Sequence, residues 1–450
     1  MQRRRLLSGA ALAFAVLAAL SAAQSQAQDK PIRIGLVTFL SGPASGPFGV
    51  PAKVAAEAIV ESLNAGRAPA PYNSKGFAGT PLEMVIIDEA GGATKQVAEY
   101  RNLVQRQEVD FVIGYISSGD CLAIAPVAEE LKKLTVLFDC GTPRIFEEGA
   151  YRYVFRTRAH ATMDAVGGAL YLLEQMPALK TYAGINQNYA WGQDSWNDWT
   201  AVLSVLRPEA RALTSQMPKF GAGQYGAEIS ALSQSGAEVI HSSLWGGDLE
   251  AFMLQAVPRQ LFKNKRLVLI AGEPNLHRLV GNIPDGTIVG ARGPHGVFAP
   301  ETPLNAWLRE IYKAATGLDP NYPAYSVAQA FLGLKAAYEK ARLDKIRNAI
   351  PMGAAKGVKE EMEKAYAAPA AEEVAAALEG LTFEGPSGKV MMRLGKGHQA
   401  VQGTAYGTTR TVGGQVLVEN VRHYPVERVQ PPEGVTSVDW IKGGMKPGKW

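Results

Sequence analysis

The chain has 450 residues, 46 Lys and Arg against 42 Asp and Glu, and a formal net charge of +4. Removing the three arginines of residues 1–27 leaves +1, so a near-neutral surface gives no electrostatic footprint for nucleic acid. Hydrophobic residues make up 47% of the chain, enough at this length to bury two lobes rather than one.

The N-terminus, "MQRRRLLSGAALAFAVLAALSAAQSQAQDK", places a basic start before an apolar run and ends that run in Ser25-Gln26-Ala27. This is the layout of an export signal over 1–27, cleaved near Ala27, and it predicts a periplasmic protein. A retained anchor is the alternative, but the run is Ala-rich and has no basic stop on its far side. "RRRLL" leaves the twin-arginine route open beside the general one. No cysteine follows the run to take a lipid, and nothing after residue 30 is long and apolar enough to span a bilayer.

From "IRIGLVTFL" onward, β-rich runs alternate with helical ones. "PAKVAAEAIVESLNAG" precedes "LEMVIID", "TKQVAEYRNLVQRQ" precedes "DFVIGYI", and "CLAIAPVAEELKK" precedes "LTVLFDC". The rhythm restarts at "KTYAGINQ" and runs through "DSWNDWTAVLSVL", "EVIHSSLW", "DLEAFMLQAV" and "KRLVLIAGE". Such alternation predicts parallel sheets with crossover helices, here two α/β units. The similar stretches "VDFVIGYISSGD" and "AEVIHSSLWGGD" would each place a turn at the mouth of a shared cleft. Residues 343–372, rich in Ala and Lys, read as an exposed helical elaboration without chemistry.

No catalytic or cofactor motif stands out. "GAGQYG" at Gly221–Gly226 fits G-x-G-x-x-G, but it lies in mid-chain behind the weak strand "TSQMPKF" and lacks the acid about 20 residues further on. The six histidines and two cysteines have no metal-ligand spacing, and neither a nucleophile elbow nor a Walker loop occurs. The chain is therefore expected to bind rather than to catalyse, with no cofactor and no metal.

Five blocks in order, "IRIGLVTFLSGPASGPFG", "VIIDEAGGATKQV", "VDFVIGYISSGDCLAIAPVAEE", "NYAWGQDSW" and "LEGLTFEGPSGKVMMRLGKGHQAVQG", resemble the leucine/isoleucine/valine-binding protein family. These are periplasmic substrate-binding proteins of ABC importers with the type I periplasmic binding fold. The resemblance implies an α/β fold of two doubly wound parallel-sheet lobes joined by a three-crossover hinge near Thr157, Gly290 and Ala400. The first lobe would comprise 28–157 with 291–400, and the second 158–290 with 401–450. Closure on a small-molecule solute would then present the receptor, as a monomer, to membrane permease subunits.

The resemblance also carries site roles. Ser118 matches the serine that holds a ligand carboxylate, and Thr142, reached through Cys140 and Gly141, matches the threonine after the next strand. Ser117 and Ser118 lie at a helix N-terminus, which favours an anion, although a plain helix cap accounts for them as well. Glu273 matches the acid that receives a ligand ammonium; without the family it is an ordinary charged residue at a strand end. Phe48, Tyr115, Trp191 and Trp245 fall at cleft-edge positions, where an aromatic serves either the core or the solute. Together these favour a branched-chain or aromatic amino acid, with an aromatic carboxylate, short acid or amide as the alternative. A sensory module without transport is a more distant reading.

Two departures stand beside the resemblance: Gly91 occupies a cysteine position of the branched-chain receptors, and Asp139 places an acid beside the pocket. Cys121 and Cys140 end two successive strands of one βαβ unit, and export supplies an oxidant, so a Cys121–Cys140 disulfide is expected. Two buried free thiols are the alternative.

Overall fold

β-branched runs become strands and Ala-rich amphipathic runs become helices, in the order their alternation requires. The computed structural model describes residues 30–349 and 367–448. The expected export signal lies outside the described residues, as do residues 350–366 of the expected elaboration.

The first unit runs β1 (Ile32–Thr38), α1 (Val50–Asn64), β2 (Leu82–Asp88), α2 (Ala93–Gln105), β3 (Phe111–Gly114), α3 (Ser118–Glu130), β4 (Thr135–Leu137) and β5 (Val154–Arg156). In α1 the buried residues Ala52, Ala55, Ala56, Ile59 and Leu63 recur at three- and four-residue intervals, giving one apolar stripe against the sheet. The second unit runs α4 (Thr162–Gln175), β6 (Thr181–Ile185), α5 (Ala190–Leu206), β7 (Arg211–Gln216), α6 (Gly226–Gln234), β8 (Val239–Ser242), α7 (Gly246–Ala256), β9 (Arg266–Leu269) and β10 (Ile288–Gly290).

The chain then returns to the first unit through α8 (Pro303–Thr316), α9 (Tyr322–Ala349), α10 (Ala371–Leu378), β11 (Thr382–Gly385), β12 (Gly388–Leu394) and β13 (Gln399–Val401). It ends in the second with β14 (Thr404–Val412), β15 (Gln415–Tyr424) and a tail carrying two short helices. The sheet orders are β11-β12-β13-β5-β4-β3-β1-β2 and β15-β14-β10-β9-β8-β6-β7. The chain thus passes between sheets after Arg156, after Gly290 and after Val401.

Each sheet is mixed rather than wholly parallel. β11 to β13 pair antiparallel with one another, and β14 pairs antiparallel with both β10 and β15. Short connections explain the β11–β12–β13 and β14–β15 pairings, since a parallel crossover needs a dozen or more residues. Between β14 and β15 the turn is Gly413-Gly414, both left-handed at φ +59° and +78°, which suits a tight hairpin. "TSQ" of the weak strand falls within β7, at the edge of the second sheet, and "GAGQYG" forms the loop into α6.

The parallel strands of both sheets send their C-terminal loops toward one cleft. In the first sheet the order reverses beside β1, with β2 on one side and β3 on the other, and this is where open α/β sheets bind ligands.

Candidate functional site: the interlobe cleft

The rim of the first sheet is built from the loops after β1, β3 and β4. Ser117 caps α3, its Oγ accepting the Asp120 N–H at 3.3 Å. Glu89, just past β2, is fully buried, and its carboxylate accepts the N–H groups of Ile116 (2.8 Å) and Ser117 (2.6 Å). Burial pushes the Glu89 carboxyl well above its ordinary range; Asp120 adds to this and the two N–H bonds oppose it. Ser118 Oγ accepts from Gly141 N at 3.1 Å and Thr142 N at 3.2 Å, tying the β3 loop to the β4 loop.

The disulfide Cys121–Cys140 joins the same two segments from beneath, with both cysteines fully buried. Tyr115 packs in that lower core with Tyr100, Leu103, Cys121 and Cys140. Thr142 turns to the other lobe: its Oγ1 donates to Asp194 Oδ2 at 2.6 Å, and Arg144 Nε donates to the same oxygen at 3.2 Å.

The second rim comes from the loops after β6, β8 and β9. Trp191 donates its indole N–H to Ser243 O at 2.8 Å, and Trp245 donates to the Tyr189 hydroxyl at 3.0 Å. Trp245 reaches across the cleft to Phe48, ring centroids 4.8 Å apart, and Phe48 in turn meets Tyr322 edge-on at 5.3 Å. Gly247 N donates to Pro43 O at 2.8 Å, a further contact between the lobes.

Between these rims lies a narrow cavity lined by Phe48, Ile116, Ser118, Tyr189, Trp191, Trp245, Ala271 and Arg292. Four of the expected residues meet here: Phe48, Ser118, Trp191 and Trp245. Gly141 abuts the site from behind, since a Cβ there would fall 2.0 Å from Arg292 Nη2 and 2.7 Å from Trp191 Cζ3. Tyr115, Ser117, Cys140, Thr142 and Glu273 are not among the lining residues.

Glu273 opens a short helical turn after β9 and is 6% exposed. Its Oε2 accepts the Tyr322 N–H at 2.9 Å and its Oε1 the Val297 N–H at 3.4 Å. Burial pushes its carboxyl up to about 7, against the pull of those two bonds.

Arg292 was not singled out by the sequence, because in "VGARGPHG" it reads as one charged residue in a Gly-rich turn. It sits in the second crossover, two residues past β10, at φ +54°. Nη1 donates to Asp139 Oδ1 at 3.0 Å, Nε lies 3.5 Å from Asp164 Oδ2, and the guanidinium carbon is 4.2 Å from the Trp191 ring centroid. Asp139, the acid noted beside the pocket, is thus held in an ion pair. Arg158, from the first crossover, braces the arrangement by donating to Asp139 O and Arg292 O, each at 2.8 Å. Burial pushes the Asp164 carboxyl up to about 6, opposed by the charges of Arg292 and Arg158. Among the described residues no group of three or more His, Cys, Asp or Glu could hold a metal ion, and no helix is long and apolar enough to cross a membrane.

A family model described as periplasmic binding protein matches residues 31–411. The Leu/Ile/Val-binding protein BraC3 of Rhizobium johnstonii is 27% identical over 196 residues, covering 44% of this chain and 47% of its own length, so the match spans about half of that relative. Among solved structures, a solute binding protein from an R. palustris ABC transporter, in complex with benzoate, superposes with TM-score 0.68 at 17% identity, over 87% of this chain and 96% of its own. Another from R. palustris, in complex with 4-hydroxybenzoate, gives 0.69 at 17% over 88% and 98%. The leucine binding protein LivK of Thermotoga maritima gives 0.67 at 16% over 87% and 98%. At these identities the structural likeness carries the fold.

Proposed function

Because the chain belongs to the periplasmic binding protein family, we propose that it is the solute receptor of an ABC importer, capturing one small, mostly apolar solute between two closing lobes. The observation that carries this is the Phe48–Trp245 contact, 4.8 Å between centroids, which joins a wall of the first lobe to a wall of the second. A cavity walled from both sides exists only while the lobes are together, so solute binding and closure are one equilibrium. The receptor works as a monomer in the periplasm, its partners are the permease subunits, and we assign it no catalysis. Lobes divided at 28–157 with 291–400 and at 158–290 with 401–450 fit this scheme.

Mass spectrometry of the solute released from protein purified out of the periplasm tests the reading, together with small-angle scattering before and after its removal. A single small solute whose return lowers the radius of gyration supports it. Protein that carries no solute, and that does not change shape with any member of a broad metabolite panel, refutes it.

Within this reading an amino acid is favoured by the Leu/Ile/Val-binding relative. It would place the ammonium on Glu273, which does not line the cavity and whose oxygens already accept the Tyr322 and Val297 N–H groups.

A further inference from the structure

We infer that the solute is an amine-free carboxylate on an aromatic or other apolar body, and that Arg292 reads its carboxylate; the inference rests on the receptor reading above. The polar side chains that line the cavity present donors. Ser118 Oγ already accepts two backbone N–H groups, which occupy its lone pairs and leave its proton for a further partner. Tyr189 OH accepts the Trp245 indole N–H and likewise keeps its own proton to give. Arg292, 5% exposed, keeps Nη2 without any hydrogen-bond partner.

The neighbouring acids, in contrast, do not line the cavity. Glu89 holds the Ile116 and Ser117 N–H groups, Asp194 holds Thr142, and Glu273 holds Tyr322 N and Val297 N, while Asp139 and Asp164 face the Nη1 and Nε side of Arg292, with Asp139 Oδ2 and both Asp164 oxygens lacking a hydrogen-bond partner. A buried guanidinium N–H with no acceptor is costly, and so is an ammonium enclosed among donors, so the same cavity rewards a carboxylate and rejects an amine.

Geometry places the two strongest donors together. Arg292 Nη2 lies against Gly141, whose own N–H bonds Ser118 Oγ, so both groups converge on one end of the cavity. Phe48, Trp191 and Trp245 supply apolar walls for the body of the solute. Arg292 adopts φ +54°, a left-handed conformation unfavourable for a residue with a Cβ, and is held there by Asp139, Asp164 and the Trp191 ring. Such fixing of a planar donor fork is what selective reading of a carboxylate needs.

Calorimetry on the solute-free mature protein decides the matter with matched pairs: benzoate against benzamide, and 3-phenylpropionate against phenylalanine. The acid of each pair should bind about a hundredfold tighter than its partner, and Arg292→Gln should lose about as much for the acids while leaving benzamide unchanged. Tighter binding of phenylalanine than of phenylpropionate, or equal binding of benzoate and benzamide, overturns the inference. The wild-type pairs decide it even if Arg292→Gln, which strands Asp139 and Asp164, fails to fold. Binding of neither acid also overturns it, whereas a different co-purified solute captured by closure would leave the receptor reading standing.

Discussion

Asp194, on the first turns of α5 in the second lobe, accepts the Thr142 hydroxyl of the first lobe at 2.6 Å and the Arg144 guanidinium at 3.2 Å. Both bonds span the cleft, so both are lost on opening. Hydrogen bonds to charged groups contribute about 1.5–3 kcal/mol net of water, and less where solvent screens the pair, as at the one-third exposed Arg144. Asp194→Ala should therefore shift the receptor toward the open form and weaken solute binding about tenfold, mainly through a faster off-rate. Stopped-flow fluorescence and scattering measure the two effects. Tighter binding in the variant would instead mean that Asp194 competes with the solute for Thr142.

The Cys121–Cys140 bridge closes a loop across a sequence separation of 19 and clamps the segments that carry Ser118 and Gly141. By loop entropy it should stabilise the fold by about 3 kcal/mol. Reduction, or Cys121→Ser with Cys140→Ser, should lower the unfolding midpoint accordingly and weaken solute binding more than it reduces helix content. Iodoacetamide labelling of both cysteines in unreduced, denatured protein would exclude the bridge, and unchanged affinity after verified reduction would exclude its role at the site.

The two α/β units were legible because each strand and helix is set by a local period: "LEMVIID" became Leu82–Asp88, and "DLEAFMLQAV" falls almost entirely within Gly246–Ala256. Phe48, Trp191 and Trp245 were expected at cleft-edge positions, and Ser118 at a helix N-terminus, through the family resemblance, and all four line the cavity. Arg292 was not, because its place depends on a crossover and on Asp139 and Asp164, 153 and 128 positions away in the chain. The one local clue is an arginine among glycines directly after a strand. The direction of Glu273 was equally hidden, since Tyr322 and Val297 reach it only through the return of the chain to the first lobe.

Stability should respond to pH through Asp198, which is buried and accepts the Thr162 hydroxyl at 2.7 Å. Burial pushes its carboxyl up to about 7; the Thr162 bond opposes this, while Asp194 and Glu147 add to it. The folded protein then holds a proton that the unfolded chain, with an ordinary carboxyl, releases. This contribution to stability therefore falls as pH rises from about 4 to about 7 and levels off above. Buried His160, His241 and His295, held below the ordinary imidazole value mainly by burial, carry the opposite sign on acidification, so the Asp198 contribution is read from the difference between wild type and Asp198→Asn. Asp198→Asn should reduce that slope and stabilise at pH 8 by about 1–2 kcal/mol. Asp164 and Glu273, pushed up to about 6 and about 7 mainly by burial, share the sign, so some slope remains. Calorimetric scans of both proteins across pH check this, and a Tm difference between wild type and Asp198→Asn that does not change from pH 8 to 5.5 would contradict the assignment.

Gly141→Ala is the most local probe of the anion end of the cleft. Gly141 has no left-handed φ, so alanine suits the backbone and only the space is at issue. The new methyl would fall 2.0 Å from Arg292 Nη2 and 2.7 Å from the Trp191 ring. Neither neighbour yields cheaply: Arg292 is held by Asp139 and Asp164, and Trp191 is anchored by its indole bond to Ser243 O. Something must shift, and overpacking of this size costs about 1–3 kcal/mol. If that cost falls on the solute-binding form, affinity for carboxylates should drop by about tenfold or more while secondary structure is kept, and the tryptophan emission should change as Trp191 is displaced. Wild-type affinity in Gly141→Ala would show that the solute does not depend on where Arg292 and Trp191 stand.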